Sequence, residues 1–247
     1  VFKYYNFVAG NINSLLGLLS IEASLPRLDL LMPLGISFYI FQSAGYVIDV
    51  YRGRHAPDRN LAKYALFVSF FPQLVQGPIG RYSDLAGQLI EPHRFSFENL
   101  RSGIQLMLWG YLKKLIIADR LAFFVSNVFD KGGEFGFFVN TTAALAYGLQ
   151  LYCDFSGGID ISRGVAEMMG IRMAENFRRP YFAQTVSEFW RRWHISLSSW
   201  ARDYVFYPML LSKRTARLAQ RIRKTFGSRA AKILPACLAT LVCFLII

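Results

Sequence analysis

The sequence lacks charged side chains over four long stretches, which are residues 30–48, 64–80, 135–153 and 233–247. A helix that crosses a bilayer needs about 20 mostly apolar residues, with about 17 as the lower limit. Unpaired backbone groups are costly in hydrocarbon, so these stretches are predicted to be membrane-spanning helices. A soluble protein with these helices in its core is the alternative, and four such runs in a chain that is 53% hydrophobic disfavour it.

Acidic side chains are absent from Tyr204 to the last residue, whereas cations crowd the stretch before the final uncharged run. These cations are Lys213, Arg214, Arg217, Arg221, Arg223, Lys224, Arg229 and Lys232. Short basic loops beside membrane helices mark the cytoplasmic side. The sequence therefore predicts a basic loop at 209–232, cytoplasmic over 213–232, that contacts anionic lipid headgroups rather than nucleic acid.

Cysteine is scarce, and Cys153, Cys237 and Cys243 form no CxxC pair. A disulfide framework, a zinc site and a bound cofactor are therefore not expected. The chain also has no initiator Met and no cleavable signal pattern at its start. We expect an internal fragment of a longer protein, incomplete at both ends.

The remaining segments fit one membrane domain over 1–247. Residues 4–21 and 100–130 are two further membrane segments, and the charges inside 100–130 should face the protein interior or an interface. Residues 154–208 mix aromatic and charged side chains too closely for a simple span or a solvated loop. Such a layer indicates short, broken or interfacial helices around a protein-lined cavity.

Within that layer, the spacing of apolar residues predicts one helix over 185–204. Thr185 and Glu188 fit a capping box at its start, and Pro208 would stop it. Glu188 is placed to pair with Arg191 and Arg192. The apolar stripe consists of Val186, Phe189, Trp190, Trp193, Leu197, Trp200 and Tyr204.

His194 lies at the border between this stripe and the charged face. Partial burial favours the neutral imidazole, which can accept a proton from a substrate hydroxyl as that hydroxyl attacks an acyl carbon. A histidine that only hydrogen-bonds across a helix interface is the competing interpretation. His55 and His93 lie in charged loops and are interpreted as surface residues.

Two other polar clusters have two interpretations each. Asp154 follows an uncharged stretch directly, so it is either a functional acid at headgroup depth or a residue that caps a helix or pairs with an arginine. Gln73 and Gln76 lie between prolines, where a kinked helix end competes with a ligand contact.

Four blocks carry a family resemblance: PLGISFYIFQSAGYVIDVYRG (33–53), FFPQLVQGPIGR (70–81), YCDFSGGIDI (152–161) and FWRRWHISLSSWARDYVFYP (189–208). Together they resemble the membrane-bound O-acyltransferase family, and within it the bacterial branch that acetylates alginate and related polysaccharides. The resemblance implies an all-α, multi-pass protein of the bacterial inner membrane. A ring of tilted transmembrane helices, with short re-entrant or interfacial helices, would surround a central tunnel.

The implied activity is O-acyl transfer. A cytoplasmic thioester, either acetyl-CoA or an acylated carrier protein, would supply an acetyl group to a hydroxyl on an extracytoplasmic polysaccharide or on a relay partner protein. His194 matches the histidine of the family's Trp-His motif. The resemblance places around it, as tunnel-lining residues, Trp190, Trp193, Ser196, Trp200, Asp203 and Asp154.

The sequence departs from the family pattern in two places. The family has a second histidine after the basic loop, expected here beyond Ile247, so this fragment alone is expected to be inactive or impaired. Gly158 replaces a bulkier residue, which alters the predicted tunnel. A transporter and a non-catalytic scaffold for a partner acyltransferase are the alternative functions, although no internal repeat of the kind common in transporters is found.

Overall fold

The computed structural model describes residues 4–19, 21, 23–29, 35–74, 76–131 and 133–246. Across those residues the secondary structure is helical and contains no β-strand, which confirms the predicted all-α class. The chain divides into two compact units, residues 1–37 and 38–247.

In the first unit, helix α1 (Tyr5–Leu18) binds the extended segment 23–29 through asparagine side chains. The amide of Asn6 accepts from Leu28 N (3.0 Å) and donates to Leu28 O (2.9 Å). Asn13 makes the same pair of bonds with Leu25, at 2.7 and 3.0 Å. These paired bonds explain how an apolar helix accommodates asparagines.

Helix α2 (Ile36–Tyr51) leads into the second unit. The other elements there, in chain order, are α3 (Leu61–Ser69), α4 (Phe71–Leu74), α5 (Tyr82–Ile90), α6 (Phe97–Tyr111), a π-helical turn (Leu112–Ala118), α7 (Asp119–Asp130), α8 (Phe137–Met168), a 3-10 turn (Pro180–Phe182), α9 (Val186–Arg192), α10 (Ile195–Ala201), a second π-helical turn (Arg202–Phe206), α11 (Tyr207–Leu210) and α12 (Lys213–Ile246).

Helices α6 and α8 pack antiparallel through two pairs of glycines. A Cβ atom added to Gly103 would lie 2.6 Å from Gly164 O, and one added to Gly110 would lie 2.6 Å from Gly157 O. On each of the two helices, the two glycines are seven residues apart in the sequence. Glycine is required because backbones this close leave no room for a side chain, as at close helix crossings in membranes.

Two of the charges inside the predicted segment 100–130, Lys113 and Lys114, contact neighbouring elements as expected, whereas Arg101, Arg120 and Asp130 are exposed. Lys113 is 7% exposed, and its Nζ lies 2.6 Å from Asp160 Oδ2 and 3.0 Å from Ser156 Oγ, both on α8. Lys114 forms ion pairs with Asp119 and Asp154, at 2.8 and 2.6 Å. The π-helical turn that carries both lysines interrupts the regular helix at this contact.

The basic stretch is helical, so the prediction of a loop over 209–232 is wrong. Helix α12 begins at Lys213 and continues to Ile246, with a break at Gly227 (φ 85°). Arg229 and Lys232 follow this break, and the uncharged run begins at Ile233. Straight-chain cations are good helix formers, and this tendency outweighs the charge repulsion. Among the described residues, α12 is the one helix long and apolar enough to cross a membrane.

The other uncharged stretches do not each form one helix. Residues 64–80 are divided between α3, α4 and a turn, and residues 137–153 are the first part of a longer helix that continues to Met168. The first part of the predicted layer 154–208 is therefore the second half of α8. Residues 30–34 of the stretch 30–48 lie outside the described residues.

Candidate active site

The helix predicted over 185–204 is broken at His194. Helix α9 ends at Arg192 and α10 begins at Ile195, and His194 between them has a left-handed backbone (φ 43°, ψ 55°). The reason is tertiary: Arg192 O accepts from Arg178 N (2.9 Å), and Ile195 N donates to Asn176 O (3.0 Å). A neighbouring segment thus takes the backbone bonds that a continuous helix would use.

The two ends of the predicted helix also differ from expectation. Thr185 Oγ1 accepts from Glu188 N (3.1 Å) as predicted, but Glu188 accepts from Gln184 N (2.8 Å) rather than from Thr185. Glu188 pairs with Arg192, which confirms that predicted contact. Pro208 does not stop the helix, because it lies in the first turn of α11, where its missing N–H costs little.

The imidazole of His194 is free of hydrogen bonds within the described part of the chain. Its Nδ1 atom is buried and has no partner there, and the ring meets Phe155 of α8 edge to face at 4.8 Å between centroids. His194 lies outside α12, the described helix that is long and apolar enough to cross a membrane, and burial lowers the pKa of its imidazole to about 4. The ring is therefore neutral near pH 7 and retains a nitrogen lone pair that can accept a proton.

An aromatic cluster surrounds the preceding residue, Trp193. Its ring stacks on Phe189 (5.6 Å between centroids) and meets Phe177 edge to face (4.9 Å). Tyr152 and Tyr181 complete the cluster at 6.3 and 6.1 Å. The predicted tunnel residue Trp193 thus belongs to a packed wall beside His194, which fixes one side of the helix break.

Three other predicted residues hold α10 and the turn after it against the rest of the unit. Ser196 Oγ accepts from Ile79 N (3.1 Å), and Trp200 Nε1 donates to Phe41 O (2.9 Å). Asp203 forms an ion pair with Arg81. These contacts are directed to α2 and to the turn 77–81 rather than to the imidazole.

The remaining two predicted residues have separate environments. Trp190 is 41% exposed and meets Phe244 of α12 at 5.5 Å between centroids. Asp154 lies inside α8, next to the Phe155 that contacts His194, and pairs with Lys114. Asp154 is therefore neither a helix cap nor the partner of an arginine, because its position within α8 directs it to the π-helical turn.

Gln73 and Gln76 both have close packing partners. Gln73 is 1% exposed, and its Oε1 accepts from Gln42 Nε2 (2.7 Å) and Gly80 N (3.1 Å). The amide of Gln76 occupies the space where a side chain at Gly158 would stand. The missing side chain at position 158 is thus replaced by one from another part of the sequence.

A cavity of about 150 Å³ adjoins α10 on the side of the turn 78–81. Its wall includes Ser196 and Ser199 of α10, the buried Gln73 and, at its charged edge, Arg81 and Glu175. This cavity shows that α10 has space on the face that carries Ser196.

Sequence reasoning missed two residues of this region. Asn176 bonds both residues that follow His194, and Phe155 packs on the imidazole. Lys113, which anchors α8, does have a sequence signal, because it is a cation inside an apolar segment and is one of the charges predicted to face the interior or an interface. Asn176 and Phe155 are ordinary residues in the sequence, and folding alone brings them to His194.

Fold and site together define a protein whose described residues are helical and which holds a half-buried, neutral histidine, with its Nδ1 atom buried, at a strained helix break. The model of the membrane-bound O-acyltransferase (MBOAT) family matches residues 54–227. The chain belongs to this family, and it is therefore a membrane protein.

Its relatives include several bacterial transferases. The chain is 43% identical to a protein of Pseudomonas syringae pv. tomato named "Probable alginate O-acetylase AlgI", over 84% of this chain and 40% of the relative. A "Peptidoglycan O-acetyltransferase" of Helicobacter pylori is 33% identical (84% and 44%), and a "Teichoic acid D-alanyltransferase" of Bacillus subtilis is 32% identical (73% and 46%). The chain thus spans less than half the length of each of these relatives. Of these three, the alginate O-acetylase has the highest sequence identity to the chain.

Proposed function

We propose that this chain is part of a membrane O-acyltransferase that moves an acetyl group from a cytoplasmic thioester to a hydroxyl. The donor is acetyl-CoA or an acylated carrier protein, and the acceptor is an extracytoplasmic polysaccharide or a relay partner protein. One observation carries the proposal: the buried, unpartnered Nδ1 of His194 at a left-handed helix break. Strained backbone of this kind clusters at functional sites. The names of the relatives, which describe acetyl and alanyl transfer, support the reaction class.

In the proposed reaction His194 acts as a general base. The neutral imidazole accepts the proton of the acceptor hydroxyl as its oxygen forms a bond to the thioester carbonyl carbon. The tetrahedral intermediate then collapses, the carbon–sulfur bond breaks, and the leaving thiolate takes the proton from the imidazolium. The products are an ester and a free thiol, and the histidine returns to its neutral form.

We infer that the helices of the intact protein form a ring around a tunnel that reaches His194. Polar side chains in the described second unit are buried inside, among them Gln42, Gln73, Asn176 and Ser196. Large apolar side chains face outward, with Phe123 76% exposed and Leu145 73% exposed. Exposed apolar surface of this extent fits lipid contact and several membrane crossings.

The charge pattern of the basic part of α12 supports a cytoplasmic location for that part of the helix. One face carries cations at intervals of one, three, four and three residues, and a second face carries apolar side chains at intervals of four. The cations are Lys213, Arg214, Arg217, Arg221 and Lys224, and the apolar residues are Leu218, Ile222 and Phe226. This pattern is typical of helices at the surface of anionic membranes.

The test is transfer by the intact protein reconstituted in vesicles with radiolabelled acetyl-CoA on the cytoplasmic side and alginate oligosaccharide on the other. The proposal predicts ester-linked label on the oligosaccharide and release of one thiol per ester formed. Labelled material that crosses without any new ester would support a transporter instead. Transfer that requires an added partner acyltransferase and that continues at the same rate when His194 is replaced by asparagine would support a scaffold.

A further inference from the structure

The segment 176–178 lies alongside the helix break and bonds it on both sides of His194. Arg178 N donates to Arg192 O (2.9 Å) before the break, and Ile195 N donates to Asn176 O (3.0 Å) after it. Arg179, directly after this segment, and His194 are the two non-glycine residues with positive φ in the described part of the chain. Both strained residues, Arg179 and His194, therefore lie at the contact between the segment 176–178 and the helix break.

Asn176 supplies the cap that α10 would otherwise take from its own first residue. The N-cap position of a helix usually carries a side-chain oxygen that accepts from the N–H two or three residues on. Here the N-cap is His194, which makes no such bond, and Asn176 Oδ1 accepts from Ser196 N (2.8 Å) in its place. Asn176 also accepts from Ile195 N through its own carbonyl oxygen, so one residue satisfies the first two N–H groups of α10.

Burial makes this contact a stiff one. Asn176 is 1% exposed, so water has little access to replace its oxygen atoms. A buried N–H that loses its partner carries the full cost of desolvation, which favours keeping these bonds. The helix break is thus held by groups from outside α9 and α10.

We propose that Asn176 is a positioning residue for acyl transfer, because it caps α10 from outside and leaves the His194 imidazole free to act as a base. The proposal rests on the proposed function of His194. A residue with a left-handed backbone between two helices could adopt other backbone conformations, and the bonds to Asn176 prevent them. The imidazole is consequently held in one direction without a hydrogen bond of its own.

The test compares variants of the intact protein. Asn176→Leu removes the accepting oxygen while keeping a similar side-chain volume. We expect it to lower kcat by about tenfold to a hundredfold, the size of effect that a misplacement of about 1 Å produces. The KM for the thioester should change little. Asn176→Asp keeps an oxygen at Oδ1 and should restore most of the lost turnover. The matched control is Asn60→Leu, since Asn60 likewise accepts from two N–H groups at the start of α3; its kcat should stay unchanged.

A second readout does not depend on turnover. Diethyl pyrocarbonate modifies accessible neutral imidazoles, and the modified histidine is identified by mass spectrometry, with His55 as the reference in the same sample. Asn176→Leu should raise the modification rate of His194 relative to His55 several-fold, and Asn176→Asp should not. If Asn176→Leu does not fold, Asn176→Ser, whose hydroxyl is too short to reach Ser196 N, replaces it in both measurements.

The proposal is overturned if Asn176→Leu or Asn176→Ser leaves both kcat and the His194 modification rate at wild-type values, or if Asn176→Asp loses as much turnover as Asn176→Leu. These outcomes are separate from a failure of the proposed function. If a His194 variant retains full turnover, the role of His194 in transfer is wrong, whereas the modification rates still report whether Asn176 holds the helix break.

Discussion

At the scale of single residues, buried polar groups in the second unit find their partners far along the chain. Lys113 binds Asp160, Gln42 binds Gln73, and Asn176 caps the helix that begins at Ile195. Each such group would cost free energy if it were left unpaired in the interior. These bonds therefore help to fix which helices meet.

The Lys113–Asp160 pair offers a residue-scale prediction. Lys113→Met alone is expected to lower the free energy of unfolding by about 1–3 kcal/mol, because it leaves the half-buried Asp160 carboxylate with only the more distant cation of Arg163, at 3.6 Å. The double variant Lys113→Met/Asp160→Asn should recover most of that loss. Denaturant titration of the purified protein in detergent measures both.

The neighbouring lysine is the control for this comparison. The Lys114 side chain is 39% exposed, so Lys114→Met should cost less than about 1 kcal/mol. If Lys113→Met and Lys114→Met lower the free energy of unfolding equally, burial does not determine how much the Lys113–Asp160 pair contributes to stability.

At the scale of elements, the close approach of α6 and α8 depends on glycine. A Cβ atom at Gly164 would lie 2.6 Å from Gly103 O and 2.8 Å from Met107 N, both of which are backbone atoms that cannot rotate away. The two helices would have to separate to admit it. Since α8 also carries Phe155, separation at this crossing would change the wall beside His194.

We therefore expect Gly164→Ala to lower the free energy of unfolding by about 1–3 kcal/mol, the usual cost of forcing extra volume into a packed interface. Gly148→Ala in the same helix is the matched control, because the nearest atom to its new Cβ would be Tyr181 Oη at 3.7 Å. That change should be neutral or stabilise by up to about 1 kcal/mol, since alanine is the better helix former. Equal destabilisation of both variants would contradict the account of the crossing.

Sequence patterns predicted some elements well and others poorly, for physical reasons. The start of α9 at Thr185 follows from a local signal, the cap, whereas the all-α class is predicted by the long uncharged runs and by the family resemblance. The break at His194 does not, because the spacing of the apolar stripe fits a continuous helix and the bonds that interrupt it come from Asn176, 18 residues earlier in the sequence. The glycine pairs of α6 and α8 are likewise recognisable only once the two helices are brought together.

At the scale of the whole molecule, the distribution of charge predicts its orientation. The basic part of α12 contains no acidic residue and precedes the uncharged run that begins at Ile233. Charge of this kind is retained on the cytoplasmic side of bacterial membranes. The thioester donor would then meet the protein on the same side.

A single cysteine tests this orientation. In a variant whose Cys153, Cys237 and Cys243 are replaced by serine, Thr225→Cys should react with a membrane-impermeant maleimide only in inside-out vesicles. The cysteine-free protein is the control for background labelling. Reaction in right-side-out cells would place this helix on the opposite side and contradict the cytoplasmic assignment.

The measurement that tests the central claim most directly is the turnover of a His194→Asn variant of the intact protein. Asparagine tolerates the left-handed backbone, so the helix break is kept while the base is lost. We predict that acyl transfer falls by about 10²- to 10⁴-fold, the range that a general base contributes, with an unchanged melting temperature, while His55→Asn has wild-type activity. Wild-type turnover in a folded His194→Asn protein would contradict the account.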